Sequence, residues 1–171
     1  MKKFFNALVS TWGVFALLSV SASAAPASNG APAERIGVYD SRAVAIAYAG
    51  SPFQQKKMDA LKAAHQRAKD AGDAAEMSRL NAEAKAQQAK LHKQGFGTAP
   101  VDGLLANIAP ELVRIQSETG ITLLVSKWNA AALQTLPNAE RVNVTMKLVD
   151  AFQPNEKQRK YAIEIQARAP Q

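Results

Sequence analysis

The chain has 171 residues, no cysteine, and 21 basic against 14 acidic side chains, which gives a formal net charge of +7. The lack of cysteine excludes disulfides and a lipid-bearing cysteine. The length predicts one ordinary domain, but its Ala-rich and polar middle can bury little apolar surface, so we expect oligomerisation to supply further burial.

The first residues have the three-part layout of a secretory signal peptide. Lys2 and Lys3 precede an apolar stretch shorter than the ~20 residues needed to span a bilayer, and small residues follow at positions 22–24. We therefore expect residues 1–24 to be a cleaved signal peptide and residues 25–33, rich in Pro, Ala, Ser and Gly, to be a flexible leader.

The mature chain stays basic after this cleavage. Without Lys2 and Lys3 it has 21 − 2 = 19 basic against 14 acidic groups, a net charge of +5. A protein that is soluble beyond the inner membrane meets anionic lipid, lipopolysaccharide or acidic polypeptides first, so we do not expect nucleic acid as a partner.

A short strand is predicted at the start of the folded body. In residues 35–40, Ile36, Val38 and Asp40 alternate with side chains on the opposite face. The following AVAIAYAG, residues 43–50, fits either a continued strand or a helical turn.

Residues 52–95 predict a hairpin of two helices. Pro52 suits a first helical turn, Gly72 can end the first helix, and Asp73 with Glu76 can cap the second. Small or apolar side chains recur at steps of three and four in each helix, and the two stripes are expected to face each other. The stripes are Met58, Leu61, His65 and Ala68 in the first helix, and Met77, Leu80, Ala84, Gln87 and Leu91 in the second.

The outer faces of this hairpin are basic. Charged helix surfaces usually only aid solubility, but acidic residues are sparse here, and the hairpin has a net positive charge. The basic residues are Lys56, Lys57, Lys62, Arg67, Lys69, Arg79, Lys85, Lys90 and Lys93.

The chain is expected to re-enter the body through residues 95–120. Gly95 and Gly97 end the second helix and are the predicted hinge. Thr98 or Asp102 can cap the next helix, and Pro110 is expected to kink or split it.

Two further strands and a short helix complete the predicted body. Residues 121–125 are the most hydrophobic strand candidate, residues 142–144 form a brief third strand, and Thr145 can cap a helix that reaches Phe152. Residues 153–171 are a basic tail to which the pattern assigns no conformation. The predicted body core, also the expected oligomer contact, is Ile36, Val38, Leu104, Leu105, Ile108, Leu112, Ile115, Leu123 and Val125.

The sequence contains few residues that could form a catalytic or metal-binding site. His65 and His92 are the only histidines and fall on opposite helices of the hairpin, so a metal site is not expected. Asp40-Ser41-Arg42 has no base beside its serine and is better explained as a turn with a local ion pair.

A nucleotide site is not expected either. Gly95-Phe96-Gly97 lacks the Gly-Lys-Ser/Thr ending of a phosphate loop and follows a helix where a strand is required. Trp128 and Tyr161 could be exposed contacts, although aromatic residues beside a strand are more often core. We therefore expect a protein that is not an enzyme and needs no cofactor.

Three segments resemble the Skp/OmpH family of periplasmic chaperones: RIGVYDSRAVA at 35–45, GITLLVSKWNAAAL at 120–133 and VNVTMKLVDAF at 142–152. The resemblance covers most of residues 35–152 and indicates a short-armed, divergent member. It implies a predominantly helical α+β domain at 34–152. A small β-rich body from both chain ends, residues 34–51 and 96–152, would hold an inserted coiled-coil-like arm, residues 52–95.

This resemblance also implies a function. The family's members are periplasmic trimers without catalysis that hold unfolded outer-membrane proteins between helical arms, and some are linked to lipopolysaccharide. We therefore expect a holdase for unfolded outer-membrane or envelope proteins. The alternative is a structural or adaptor protein that docks one defined partner through its hairpin. The candidate client-binding residues are Lys56, Lys57, Met58, Leu61, Lys62, Arg67, Lys69, Met77, Arg79 and Leu80.

Overall fold

The structure is a computed structural model and describes residues 34–171; the predicted signal peptide and leader lie outside the described residues. The fold is predominantly helical with a small three-stranded sheet, as the sequence predicts. In chain order its elements are β1 Arg35–Tyr39, α1 Ser41–Ala49, α2 Pro52–Asp70, α3 Ala74–Gly95, α4 Asp102–Leu105, α5 Ala109–Thr119, β2 Leu123–Ser126, α6 Ala130–Gln134, β3 Glu140–Asn143, α7 Thr145–Ala151 and α8 Glu156–Glu164. Short 3-10 turns at Ala106–Ile108 and Ile165–Ala167 follow α4 and α8.

The sheet is entirely parallel, in the order β2-β1-β3. β1 is central, with Ile36 opposite Leu123 of β2 and Arg141 of β3. The first strand thus pairs on one side with β2, the strand that follows the returning arm. The strands contain only five, four and four residues, so the body is mostly helical and not β-rich.

β1 is covered on both faces, as expected for the central strand of a parallel sheet. Ile36, Gly37 and Tyr39 are all buried, so the predicted alternation is incomplete. A Cβ atom on Gly37 would lie 2.5 Å from Ile121 Cδ1, so a larger residue here would require the Ile121 side chain to shift. Leu123, predicted in the core, is 43% exposed because β2 is an edge strand.

Helix α1 is the centre of the body. The segment that fitted either strand or helix is helical, with Asp40 as its N-cap. Ala43, Val44 and Ala47 are fully buried, and α1 packs against α3, α7 and α8. Small side chains let these helices approach closely on all sides of α1.

The helices predicted for residues 52–95 are α2 and α3, which pack against each other. The Ser51 side chain caps α2, and the Asp73 side chain accepts a hydrogen bond from the Glu76 N–H at the start of α3. Gly72 has a φ of 68°, in the left-handed region that favours glycine. Gly72 and the Asp73 cap therefore lie where the sequence predicts them, whereas the Glu76 carboxylate, predicted to complete the cap, accepts from Arg79 instead.

The chain returns to the body through short helices. Pro110 lies in the first turn of α5, so the predicted stripe is split into α4, a 3-10 turn and α5. Leu104, Leu105 and Ile108 enter the core as predicted. The predicted caps are wrong, because Val101 precedes α4 and no side chain caps it.

Thr145 also has a different role from the predicted cap. It is the first residue of α7, whose N-cap is Val144, and its hydroxyl accepts a hydrogen bond from the Asp40 N–H at 3.1 Å. The threonine therefore joins β3 to the end of β1.

The C-terminal segment belongs to the body. Residues predicted as a separate basic tail form α8 and a 3-10 turn, with Ala162 and Ile165 in the core against α1. The Asn155 N–H donates to Gly50 O, and the Gln171 N–H donates to Phe96 O. A boundary at residue 153 does not exist in the fold, because α8 covers a face of α1.

Candidate functional site: the arm, its root and the sheet edge

In the arm, residues 52–95, the side chains of the two predicted stripes are the ones shielded from solvent. Met58, Leu61 and Met77 are half-buried, and Leu80 and Ala68 are buried. With 19 and 22 residues, α2 and α3 extend ~28 and ~33 Å at 1.5 Å per residue. The shielded stripe is narrow, so the arm buries little apolar area for its length.

Most of the net charge of the described residues is on the arm. Residues 52–95 have 9 basic and 5 acidic side chains, a net charge of 9 − 5 = +4. The rest of the described chain, residues 34–51 and 96–171, has 10 basic and 9 acidic side chains, a net charge of 10 − 9 = +1. The electrostatic attraction of this protein for anions is therefore concentrated on the hairpin.

Most arm cations have no acidic partner among the described residues. Arg79 and Lys62 are the exceptions. Arg79 pairs with Glu76 at 2.7 Å and with Glu83 at 3.3 Å, and Lys62 lies 3.9 Å from Asp59. Hydrogen bonds from Arg79 hold the pKa of Glu76 below its usual value, and those carboxylates raise the pKa of Arg79. Arg79, with two acidic partners, is thus the predicted client-binding cation whose charge is most fully compensated.

A cleft lies where the arm meets the body, and we name it the root cleft. Its volume is about 600 Å³. Tyr48, Leu91, Ala99, Pro100 and Leu104 supply apolar surface. The polar lining is Gln54, Lys57, Gln87, Lys90, Lys93, Gln94, Asp102, Gly103 and Asn107.

Gln94 is the buried polar residue of this cleft. Its side chain is 2% exposed, and Nε2 donates to Pro100 O at 2.6 Å. Its Oε1 has no hydrogen-bond partner within residues 34–171. An unpaired buried acceptor costs roughly 1–3 kcal/mol. This oxygen is closed off from solvent, so it lowers stability and is not offered to a ligand.

The two predicted hinge glycines differ in their surroundings. Gly95 is the last residue of α3, and a Cβ there would make an ordinary 3.7 Å contact with Ile46 Cγ1. A Cβ on Gly97 would lie 2.7 Å from the Lys93 carbonyl oxygen. Neither glycine has a left-handed φ, so Gly97 is required by close packing of backbone.

A buried ionic cluster lies at the carboxyl end of the sheet, and we name it the Asp40 cluster. It consists of Asp40, Arg42, Lys127 and Trp128. Asp40 accepts from Arg42 N at 3.0 Å, Nε at 3.2 Å and Nη2 at 3.0 Å. It also accepts from Trp128 Nε1 at 3.1 Å and pairs with Lys127 Nζ at 2.7 Å.

Burial alone would raise the pKa of Asp40, but the hydrogen bonds from Arg42, Lys127 and Trp128 outweigh it and hold the pKa below its usual value. Arg42 is fully buried, stacks 4.6 Å from the Trp128 ring and donates to Ile165 O at 2.9 Å. The carboxylate is therefore ionised at neutral pH, and both of its oxygens are engaged. This arrangement fixes α1, β2 and the C-terminal segment together and leaves Asp40 without a free oxygen for acid–base chemistry.

The local ion pair predicted between Asp40 and Arg42 is present, but Lys127 and Trp128 were missed by the sequence reasoning. They are 87 and 88 residues away from Asp40 in the chain. The available signal was a cation and an aromatic soon after the strand predicted at residues 121–125. The sequence did not reveal that this strand is parallel to β1, which brings the carboxyl ends of both strands to one edge.

The remaining candidates are dispersed. His92 stacks on Phe96, with 4.9 Å between ring centroids, and His65 lies in the α2 stripe. Tyr161 is 45% exposed, whereas Trp128 is half-buried in the Asp40 cluster. Across the described part of the chain, no three His, Asp or Glu side chains are grouped as metal ligands would be.

None of the helices described is both long and apolar enough to cross a bilayer. Comparison of the chain with protein-family models, with curated proteins and with solved structures finds no match.

Proposed function

We propose that this protein is a non-enzymatic periplasmic holdase, which binds unfolded outer-membrane or envelope proteins against its basic helical arm. The observation that carries the proposal is the uneven distribution of net charge between the arm and the rest of the described chain. The arm has a net charge of +4, and the rest of the described chain has a net charge of +1. A surface that extends from the body and concentrates positive charge favours capture of anionic, extended chains.

The contacts on this surface suit reversible binding. Lys56, Lys57 and Lys69 are exposed, and Met58 and Met77 keep part of their surface accessible. Methionine adapts to differently shaped apolar partners, and several weak contacts together hold a client without needing ATP for its release. Leu80 is buried between the helices, so we assign it to the stability of the hairpin and not to client contact.

Oligomerisation is part of the proposal. A trimer, as the family resemblance implies, would place three arms around one client and multiply these weak contacts. Anionic lipid or lipopolysaccharide is a further proposed partner of the same cations. The mass of the protein in solution tests this step, and a stable monomer at micromolar concentration would contradict it.

The function is tested by dilution of several unrelated unfolded outer-membrane proteins into buffer with the mature protein. We expect suppression of light scattering that weakens as salt is raised, because screening shortens the reach of the lysines. Action on one partner only would favour the adaptor, and no action on any client would refute the holdase.

A charge-matched pair of variants tests the role of the arm. Lys56→Glu with Lys69→Glu changes the arm, and Lys157→Glu with Lys160→Glu makes the same change in net charge on α8. We expect the arm variant to lose most of the suppression and the α8 variant to keep it. Equal losses would show that net charge matters and its position on the arm does not.

A further inference from the structure

We propose that the root cleft binds a short extended segment of the client, in which a carboxylate lies next to an apolar side chain. This inference deepens the proposed function, since it rests on client binding and names the class of segment that is held. The cleft lies within the ~300–1,000 Å³ typical of ligand sites.

The charge of the cleft selects an anionic occupant. Lys57 comes from α2, and Lys90 and Lys93 come from α3, so the cations converge from two helices. None of the three has an acidic partner in the described structure, and Asp102 is the single acidic residue of the lining. The lining thus has a net charge of 3 − 1 = +2.

The floor of the cleft selects an apolar side chain beside that charge. Leu104 is buried, Leu91 is half-buried, and both pack in or against the hydrophobic core. Tyr48 is also buried, and Pro100 adds a rigid apolar wall. An aliphatic side chain that enters here would continue the core of the body outward.

Amide side chains favour a peptide over a lipid. Gln87 and Asn107 line the cleft, and their amide nitrogens already donate to Glu83 and to Leu104 O, so their amide oxygens remain as acceptors. An extended peptide carries an N–H at every residue, whereas a lipid phosphate brings acceptor oxygens. A segment with a carboxylate, an aliphatic side chain and backbone N–H groups matches all three features of the cleft.

Gly103 provides a direct way to fill the cleft. It lies in the lining, a Cβ at this position would meet no atom within 4 Å, and its φ is not left-handed. Gly103→Trp is therefore expected to fold and to occupy the space of the ligand. Ala106→Trp is the matched control, because Ala106 is exposed in the adjacent 3-10 turn and outside the root cleft lining.

The experiment measures binding of a fluorescein-labelled octapeptide of alternating leucine and aspartate to the mature protein, by anisotropy. We expect the corresponding leucine-lysine peptide to bind at least tenfold more weakly. Gly103→Trp should weaken binding of the leucine-aspartate peptide at least tenfold, while Ala106→Trp leaves it within twofold. Circular dichroism checks the fold of each variant.

A second variant pair keeps the test valid if Gly103→Trp fails to fold. Lys90→Glu in the cleft should weaken the binding of the peptide at least fivefold. Lys85, on the same helix, is exposed outside the cleft, so Lys85→Glu should leave the affinity within twofold. Equal effects of Lys90→Glu and Lys85→Glu would overturn the site. So would phosphatidylglycerol vesicles that displace the peptide and bind Lys90→Glu more weakly than Lys85→Glu, since the cleft itself would then hold lipid.

The peptide and aggregation assays separate the two proposals. If cleft variants lose peptide binding while the arm variants alone lose suppression of aggregation, the site stands apart from the main holding surface. If no variant binds the peptide differently and suppression is intact, the cleft assignment fails and the holdase remains. Absence of suppression with every client tested contradicts the function, whatever the peptide does.

Discussion

Removal of the Asp40 carboxylate should be among the most destabilising single changes in this chain. Arg42 is fully buried and directs two side-chain nitrogens to Asp40, and Lys127 lies 2.7 Å from the same carboxylate. Asp40→Asn keeps the shape but leaves a buried guanidinium without its counter-ion. Breaking a buried pair in this way costs roughly 3–5 kcal/mol.

Urea denaturation measures this loss. With an m-value of about 2 kcal/mol per molar, a loss of about 4 kcal/mol lowers the midpoint by about 2 M. Trp128 contacts the cluster directly, so its fluorescence reports on the same region as the far-ultraviolet circular dichroism. All variants are compared at one protein concentration, because oligomerisation would make the midpoint concentration-dependent.

Asp150→Asn is the matched control. Asp150 also accepts two hydrogen bonds from an arginine, Arg159, but both side chains are about half exposed. Water screens that pair, so we expect a midpoint close to that of the unchanged protein. If Asp40→Asn and Asp150→Asn shifted the midpoint equally, the argument that burial determines the cost would be refuted.

The pH dependence of stability gives an independent check on Asp40. Its pKa is lower in the folded than in the unfolded protein, so the ionised carboxylate stabilises the fold above the unfolded pKa, near 4. That stabilisation is lost as pH falls through the folded pKa, below 4. The unchanged protein should therefore lose stability more steeply than Asp40→Asn on acidification below pH 4, and parallel curves would contradict the assignment.

Three further expectations concern single positions. Gly97→Ala should destabilise the protein because its Cβ would lie 2.7 Å from a backbone oxygen. Gly95→Ala, at the end of α3, should be neutral or stabilising by up to ~1 kcal/mol. Thermal melts of the two variants test this, and equal melting temperatures would contradict it. Burial, with a smaller contribution from Asp102, raises the pKa of Tyr39 to about 12. The stability of the protein should therefore fall between pH 10 and 12, because the tyrosine ionises first in the unfolded chain. Tyr39→Phe should flatten that decline in urea titrations at alkaline pH. Leu80→Ala should cost ~2–5 kcal/mol of local stability in the hairpin, seen as faster amide hydrogen exchange in α2 and α3 with slow exchange kept in β1.

Local patterns made the hairpin predictable. The stripes of α2 and α3 follow the helical period, and Gly72 with Asp73 provides turn chemistry that involves neighbouring residues only. The split at Pro110 was predictable for the same reason, because a missing N–H is a property of one residue.

Helices α1 and α8 were not predictable from periodicity. α1 is buried on nearly every side, so it has no polar face to reveal a helical period. α8 contributes only Ala162 to the core, and Ile165 follows it in the 3-10 turn, so its sequence resembles a solvated tail. The buried position of both helices depends on tertiary contacts between segments more than 100 residues apart.

The candidate sites show the same division between local and distant information. The basic residues of the arm were found directly from the sequence. The root cleft combines α2, α3 and α4, and the Asp40 cluster joins residues 40 and 127, so both depend on how the chain folds back. Leu123 was misplaced because its hydrophobic strand is at the edge of the sheet, which composition cannot reveal.

The strand order has a consequence for the way in which this chain acquires its structure. β1 is the first described strand, but its two neighbours begin at Leu123 and Glu140. A chain that emerges from its N-terminus must keep β1 unpaired until nearly all of the remaining residues have arrived, while α2 and α3 can form at once from their own sequence. The slow step of folding is then the late pairing of β2 and β3 with β1. The hairpin forms before that pairing and is already exposed to other proteins at that stage.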